Sequence, residues 1–347
     1  MTSEPAAVEA RPTRVGWASW LAGVVAVLFA AILGCVVGAA GLDPVDVIRA
    51  MVDAIPGVSV DSGLTEVQTT ILFEIRMPRV VLGAVVGAVL AVAGASYQGV
   101  FRNALADPFL LGVAAGAGLG ATVAFATNGD STLVAVLAFV GGMAAVVVTY
   151  GLGRSVGGRS PTSLILAGVA VSAFATAVQT YILQQNVETL REVYSWLLGR
   201  LVTVGWTEVR SLLPYATVAL VVLWGGRRLL DVMSLGDEEA VALGVKVGRV
   251  RIVMVVAATL ATAAAVAVSG LIGFVGIIVP HTVRLIFGWS YRVIIPLSAF
   301  FGAAFLMLAD VAARTLMAPA ELPIGVVTAF FGAPFFLLVL RTMRGPT

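Results

Sequence analysis

Apolar runs of about twenty residues alternate with short breaks of charge, glycine and proline along almost the whole chain. A helix through the hydrocarbon core of a bilayer takes about 20 mostly apolar residues, so each run is long enough to span. The blocks fall near 15–41, 78–101, 109–127, 132–153, 162–184, 209–226, 252–269, 270–284, 293–316 and 324–340, which predicts about ten spans. Pro78 sits where a first-turn proline would open the second block. The eighth block, GLIGFVGIIVPHTVR, is interrupted by glycines and a proline, so a broken helix is expected there. Broken helices at membrane depth are tolerated only where protein or a cavity covers them.

The connections carry their own patterns. PVDVIRAMVDAI (44–55) has apolar residues at helical spacing and reads as a short helix lying at the interface. The longer polar connection 186–208 contains Tyr194, Trp196 and Trp206, aromatics that settle at the headgroup level. Gly112, Gly116 and Gly120 stand four apart in the third block and predict a small-residue stripe for close helix packing.

Composition turns this pattern into a class. With 60% hydrophobic and 12% charged residues and a mean hydropathy of +1.03, the chain lies outside the balance of a soluble domain. It reads as an all-α polytopic membrane protein: a polar cytoplasmic tail over 1–14, then one transmembrane domain over 15–347. Charge orients it. A cytoplasmic N-terminus and ten alternations leave Arg49, Arg76, Arg79, Arg191, Arg200, Arg210 and Arg314 outside and the other fourteen of the 21 lysines and arginines inside, as the positive-inside rule asks.

One long piece cannot lie in lipid. The stretch 227–251, RRLLDVMSLGDEEAVALGVKVGRVR, sets five basic and four acidic residues between two apolar blocks, and reads as a handle worked from outside the membrane. The energy source must then be found. Lys246 is the sole lysine and is followed by Val247, so no GxxxxGK[ST] phosphate loop exists and the chain does not hydrolyse ATP by itself. His281 and Cys35 are each alone of their kind, which leaves no metal-ligand set. No nucleophile elbow or HExxH motif appears, so an intramembrane enzyme has little support. Asp310 and Arg314 stand four apart in the ninth block and can pair along one helix face. An ion-driven transporter working alone, the rival class, would show more carboxylates at mid-depth.

Six stretches then resemble one family in its own order: RMPRVVLGAVVGAVLAVAG (76–94), Gln98 with RNALADPFLLG (102–112), SWLLGRL (195–201), LGDEEAVALGV (235–245), GLIGFVGIIVPHTVR (270–284) and ELPIGVVTAFFGAPFF (321–336). They resemble the permease subunits of ABC importers for iron–siderophore complexes, haem and cobalamin, the family typified by the vitamin B12 permease. The resemblance implies a type II importer fold of ten helices in a prokaryotic plasma membrane. Its implied partners are a second permease copy or close paralogue, separate ABC ATPase subunits, an external substrate-binding protein and the lipid bilayer, with no nucleic acid. ATP and magnesium would sit on the ATPase, leaving this chain without a cofactor. A ferric siderophore is the expected cargo because the family so often carries one, with cobalamin or haem as the alternatives.

Residue by residue, Leu235, Gly236, Asp237, Glu238, Glu239, Ala240, Leu243 and Gly244 match the family's ATPase-coupling loop. The local chemistry agrees: two glycines for tight turns, acids at a helix N-terminus, and an apolar AVAL face for a partner. Arg76, Arg79 and Arg314 match positions that dock the binding protein. Asn103 and Leu105 match one cytoplasmic gate loop, and Ser160, Thr162 and Ser163 match the second. The family often has Asp-His-Arg before the ninth span; here those positions read Ser290, Tyr291 and Arg292.

Overall fold

The structure is a computed structural model that describes residues 15–38, 41–157, 161–203 and 205–343; the expected tail over 1–14 lies outside the described residues. Among the described residues there is no strand. The chain runs α1 (Trp17–Val36), α2 (Pro44–Asp53), α3 (Glu66–Thr70), α4 (Met77–Phe101), α5 (Val113–Ala126), α6 (Ser131–Gly157) and α7 (Pro161–Gln185). It continues through α8 (Leu190–Leu197), α9 (Thr207–Met233), α10 (Asp237–Ala242), α11 (Val247–Ser269), α12 (Val275–Phe287), α13 (Tyr291–Thr315) and α14 (Ile324–Met343). Seven helices among the described residues are long and apolar enough to cross a membrane, and α5, α12 and α14 are shorter apolar ones. Together they are the ten apolar blocks of the sequence, so the chain is an all-α polytopic membrane protein.

Helix α4 is the central post, and it packs against α9, α11, α12 and α13. Lipid supplies no hydrophobic drive for helix association, so close backbone approach has to hold such a bundle together. Glycines provide it. A Cβ on Gly87 would collide with the Gly302 carbonyl of α13, and one on Gly94 with the Gly276 carbonyl of α12. The predicted stripe of the third block divides: Gly116 and Gly120 of α5 lie against the α6 backbone at Gly141 and Leu137. Gly112 instead precedes the helix at φ 88°, the left-handed conformation that a glycine adopts without steric cost.

Two local readings change. The second block does not begin at Pro78. A capping box between Thr65 and Gln68 opens α3, a π-type turn over Ile71–Arg76 follows, and helix runs unbroken from Glu66 to Phe101. Pro78 has no N–H to close an ordinary turn, and the widened turn lies just ahead of it. Trp196, expected at the headgroup level, is buried with Val193 on the inner face of α8, while Tyr194 is exposed. The Trp206 indole donates to the Phe73 carbonyl at 3.2 Å.

The eighth block is broken as its glycines and proline required. Residues 270–274 are non-helical, with Gly270 at φ 67° and Phe274 at φ 69°, and α12 starts only at Val275. Pro280 inside α12 cannot donate to the Gly276 carbonyl one turn back. That orphan acceptor takes a hydrogen bond from Gln98 Nε2 of α4 at 3.0 Å, and Gln98 Oε1 in turn accepts from the buried Arg284 at 2.9 Å. The short helix α2 also forms, capped by Asp43, whose side chain accepts from the Val45 and Asp46 amides.

Candidate functional site

The predicted coupling residues make a projecting helical turn. After α9, Leu235 and Gly236 turn the chain, Gly236 at φ 141°, and α10 begins at Asp237. Ala240 is buried in a small cluster with Met233 and Val247, and Gly244, at φ 83°, closes the turn toward α11. Leu235, Val241 and Leu243 are 63%, 61% and 64% exposed, and Glu238 and Glu239 are exposed in the first turn. An apolar strip beside an acidic helix start is thus left uncovered.

Asp237 does not join that exposed face. Its carboxylate accepts from Arg251 Nη2 of α11 at 3.0 and 3.2 Å, and pairs with Arg102 Nη2 at 3.2 Å. Arg102 is the residue that ends α4, held at φ 49°. The loop it begins is the first predicted gate: Asn103 Oδ1 accepts from the Leu105 amide at 2.9 Å, and the Asn103 carbonyl from the Ala106 amide at 3.0 Å. One carboxylate therefore joins α10, α11 and the start of the gate loop. Sequence reasoning passed over Arg102 and Arg251 as partners; the available signal was their basic charge beside the acidic segment.

The gate loop continues into a helical turn, Pro108–Leu111, capped by Asp107 Oδ1 accepting from the Phe109 amide at 2.8 Å. Burial pushes the Asp107 carboxyl up to about 6. Helix α7 rests on this turn, its Gly168 meeting the Leu110 carbonyl. Of the second predicted gate, Ser160 lies outside the described residues, while Thr162 and the partly buried Ser163 fall in the first turn of α7. The divergent triplet has a role of its own. Ser290 donates to Asp231 Oδ2 at 2.8 Å, the Tyr291 amide donates to Asp231 Oδ1, and Arg292 pairs with the same carboxylate at 3.4 Å. It ties the start of α13 to the end of α9, through an aspartate not singled out from the sequence.

At the other end of the bundle, Arg76, Arg79 and Arg314 converge. Arg76 Nη1 donates to the Cys35 and Val36 carbonyls at 2.6 and 2.8 Å, and Arg314 to those of Val37 and Gly34 at 2.9 and 3.1 Å. These are the carbonyls that the C-terminus of α1 leaves without helical partners, and two cations there also complement the helix dipole. Asp310, almost wholly buried, accepts from Arg314 Nε at 2.9 Å and from Arg79 Nε at 3.0 Å. The pair expected within α13 is thus present and extended to α4. Arg79 also forks onto Glu321, at 2.9 and 3.1 Å, and the Glu321 side chain is 50% exposed. All three arginines have intramolecular acceptors, and the Arg79–Glu321 fork is the part that reaches the surface.

Both α7 and α14 present bare apolar faces, including Leu166, Val169 and Phe174 on one and Phe330 and Leu337 on the other. Comparison with known proteins matches this arrangement to one family. The model of the FecCD transport family matches residues 14–342. The cobalamin import system permease protein BtuC of Halobacterium salinarum is 41% identical over 280 residues, which cover 80% of this chain and 75% of that protein. The iron(3+)-hydroxamate import system permease protein FhuB of Bacillus subtilis is 36% identical over 283 residues, 81% of this chain and 73% of that one. A solved structure assigned as a metal-chelate type ABC transporter in an inward-facing conformation superposes with a TM-score of 0.81 at 27% identity, covering 93% of this chain and 98% of its own.

Proposed function

The chain belongs to the FecCD transport family, and from that premise we propose that it is the permease subunit of a binding-protein-dependent importer that carries a metal chelate into the cytoplasm by alternating access. The observation that carries the mechanism is the Asp237 carboxylate shared between Arg251 and Arg102. A separate ATPase would seat the exposed Leu235, Val241 and Leu243 strip in a groove and meet Glu238 and Glu239 with basic groups. Movement of α10 then pulls on Arg102, hence on the Asn103–Leu105 gate loop, and through the Pro108–Leu111 turn on the first turns of α7. ATP binding can shift that equilibrium only through contacts that differ between the two states, and on this reading the shared ion pair at the gate is such a contact.

The remaining partners follow from the surfaces left open. A second permease copy or close paralogue covers the bare faces of α7 and α14, and the pathway runs between the two. An external binding protein docks at the Arg76, Arg79 and Arg314 end, where its acidic groups would compete with half-exposed Glu321 for Arg79. The chelate class rests on the relatives, which carry cobalamin and ferric hydroxamate; a ferric siderophore is the substrate to assay first, against cobalamin and haem.

The experiment is uptake into proteoliposomes that hold this chain with its ATPase, supplied with binding protein loaded with each chelate in turn. Uptake of one chelate that needs ATP and the ATPase supports the reading. Uptake by this chain alone, driven by an ion gradient, would instead establish the secondary-transporter class.

A further inference from the structure

A cavity of about 1,030 Å³ opens between the starts of α6 and α9, helix α8 and the end of α11. It belongs to the end of the bundle away from α10, because α10 follows the last turn of α9, whose 27 residues rise by about 40 Å. No part of the coupling or gating machinery uses it. Its volume is at the top of the ~300–1,000 Å³ range of small-molecule sites.

The lining is split by chemistry. Near the mouth stand Arg191 and Arg200, both exposed, and among the described residues neither has a carboxylate within ion-pair distance. Arg200 is held in place by its own amide, which donates to the Ser269 carbonyl at 2.7 Å. Glu192, exposed beside Arg191, and Glu208 also line the cavity, and Glu208 is engaged in an interaction of its own. The floor is apolar, with Phe139 of α6 and Tyr215 of α9 in ring contact at 5.5 Å. Val136 of the lining is half-exposed, and Val140 of α6 and Val218 of α9, each about one turn further along its helix from a lining residue, are exposed as well.

A small soluble anion would use the arginines and leave the floor bare. An apolar ligand would use the floor and make no contact with the two guanidinium groups. A molecule that is anionic at the membrane surface and aliphatic below it uses both the guanidinium groups and the floor. We propose that the cavity is a binding site for one anionic phospholipid, its phosphate held by Arg191 and Arg200 and an acyl chain lying over Phe139 and Tyr215. Guanidinium groups suit the phosphate because they present forked donors to its oxygens.

Native mass spectrometry of the full chain, titrated with phosphatidylglycerol and with phosphatidylcholine, tests the proposal. The wild type should retain phosphatidylglycerol preferentially. Each lost arginine removes a charge-assisted contact, so Arg191→Gln with Arg200→Gln should weaken retention by roughly tenfold or more. Arg210→Gln, outside the cavity lining, serves as the charge control, and thermal stability in detergent shows that the variants fold. Val136→Trp, which fills part of the cavity without changing charge, should reduce retention as well. Equal lipid retention by wild type and the double variant overturns the proposal. So does displacement of the lipid by glycerol phosphate alone, which would mark an aqueous anion site, or loss of binding-protein docking with lipid retention unchanged, which would mark a protein interface. The readout is lipid mass, so it stands whether or not the importer reading does.

Discussion

Replacing Arg102 by glutamine separates the coupling contact from the fold. The Arg102–Asp237 pair has a separation of 3.2 Å with side chains 39% and 43% exposed, and exposed pairs contribute about 0–1 kcal/mol. Arg102→Gln should therefore fold normally and lose less than about 1 kcal/mol of stability. If the whole of that energy is differential between the two states of the gate, its loss lowers transport per ATP by up to about fivefold. Asp237→Asn should do more, because Arg251 is only 8% exposed and loses its carboxylate. A hydrogen bond to a charged group is worth about 1.5–3 kcal/mol, short of the ~3–5 for a fully buried pair because Asp237 itself is part-exposed. The assay is uptake and ATP hydrolysis measured together in proteoliposomes, with thermal stability in detergent alongside. A falling ratio of uptake to hydrolysis at wild-type stability is the expected result for Arg102→Gln. Wild-type uptake per ATP in that variant would refute the transmission route.

Three other perturbations test the packing beneath the site. Gln98→Leu removes the donor to the Gly276 carbonyl and the acceptor for Arg284, and should cost about 2–5 kcal/mol of thermal stability; Gln98→Glu, which keeps the acceptor, should fall between it and wild type, and equal losses would dismiss the two-sided role. Asp310→Asn leaves Arg79 and Arg314 without their shared buried carboxylate and should cost about 3–5 kcal/mol, whereas Glu321→Gln, half-exposed, should cost about 0–1 kcal/mol and be read instead in binding-protein affinity. Burial raises the Asp107 carboxyl from 3.8 to about 6, so the folded chain keeps a proton there that the unfolded chain has released, and that stabilisation is complete below pH 3.8 and lost as pH rises through about 6. Asp107→Asn stays neutral, so wild-type melting should fall relative to the variant over that interval and run parallel above it; curves parallel throughout would contradict the burial argument.

The ten apolar blocks were legible because membrane helices advertise themselves by length and hydropathy, whereas the charged stretch at 227–251 is shorter as a connection than its charges suggested, since α9 continues to Met233 and α11 begins at Val247. The break before α12 was legible too, since glycines and Pro280 forbid a straight helix. What could not be read were pairings that exist only after the helices are placed. Gln98 and Gly276 are 178 positions apart, and nothing in either neighbourhood indicates that one completes the other. Asp237 looked like one more acid at a helix start, while the bundle puts it against Arg102 and Arg251. Arg76, Arg79 and Arg314 read as surface charges, but the carbonyls that receive two of them belong to the end of α1, and a helix end offers acceptors only to what is folded against it. The extra length of the second span was hidden by Pro78, a residue that reads as a start and here follows a widened turn.

The most direct test of the coupling account is charge reversal of the two exposed acids, Glu238→Lys with Glu239→Lys, in proteoliposomes containing the ATPase and chelate-loaded binding protein. Both side chains are exposed and make no ion pair with the rest of the described chain, so the fold should be unaffected. The account predicts that ATP-driven uptake is lost, with the ATPase either released from the membrane or hydrolysing ATP without transport. Wild-type uptake by the double variant would contradict it.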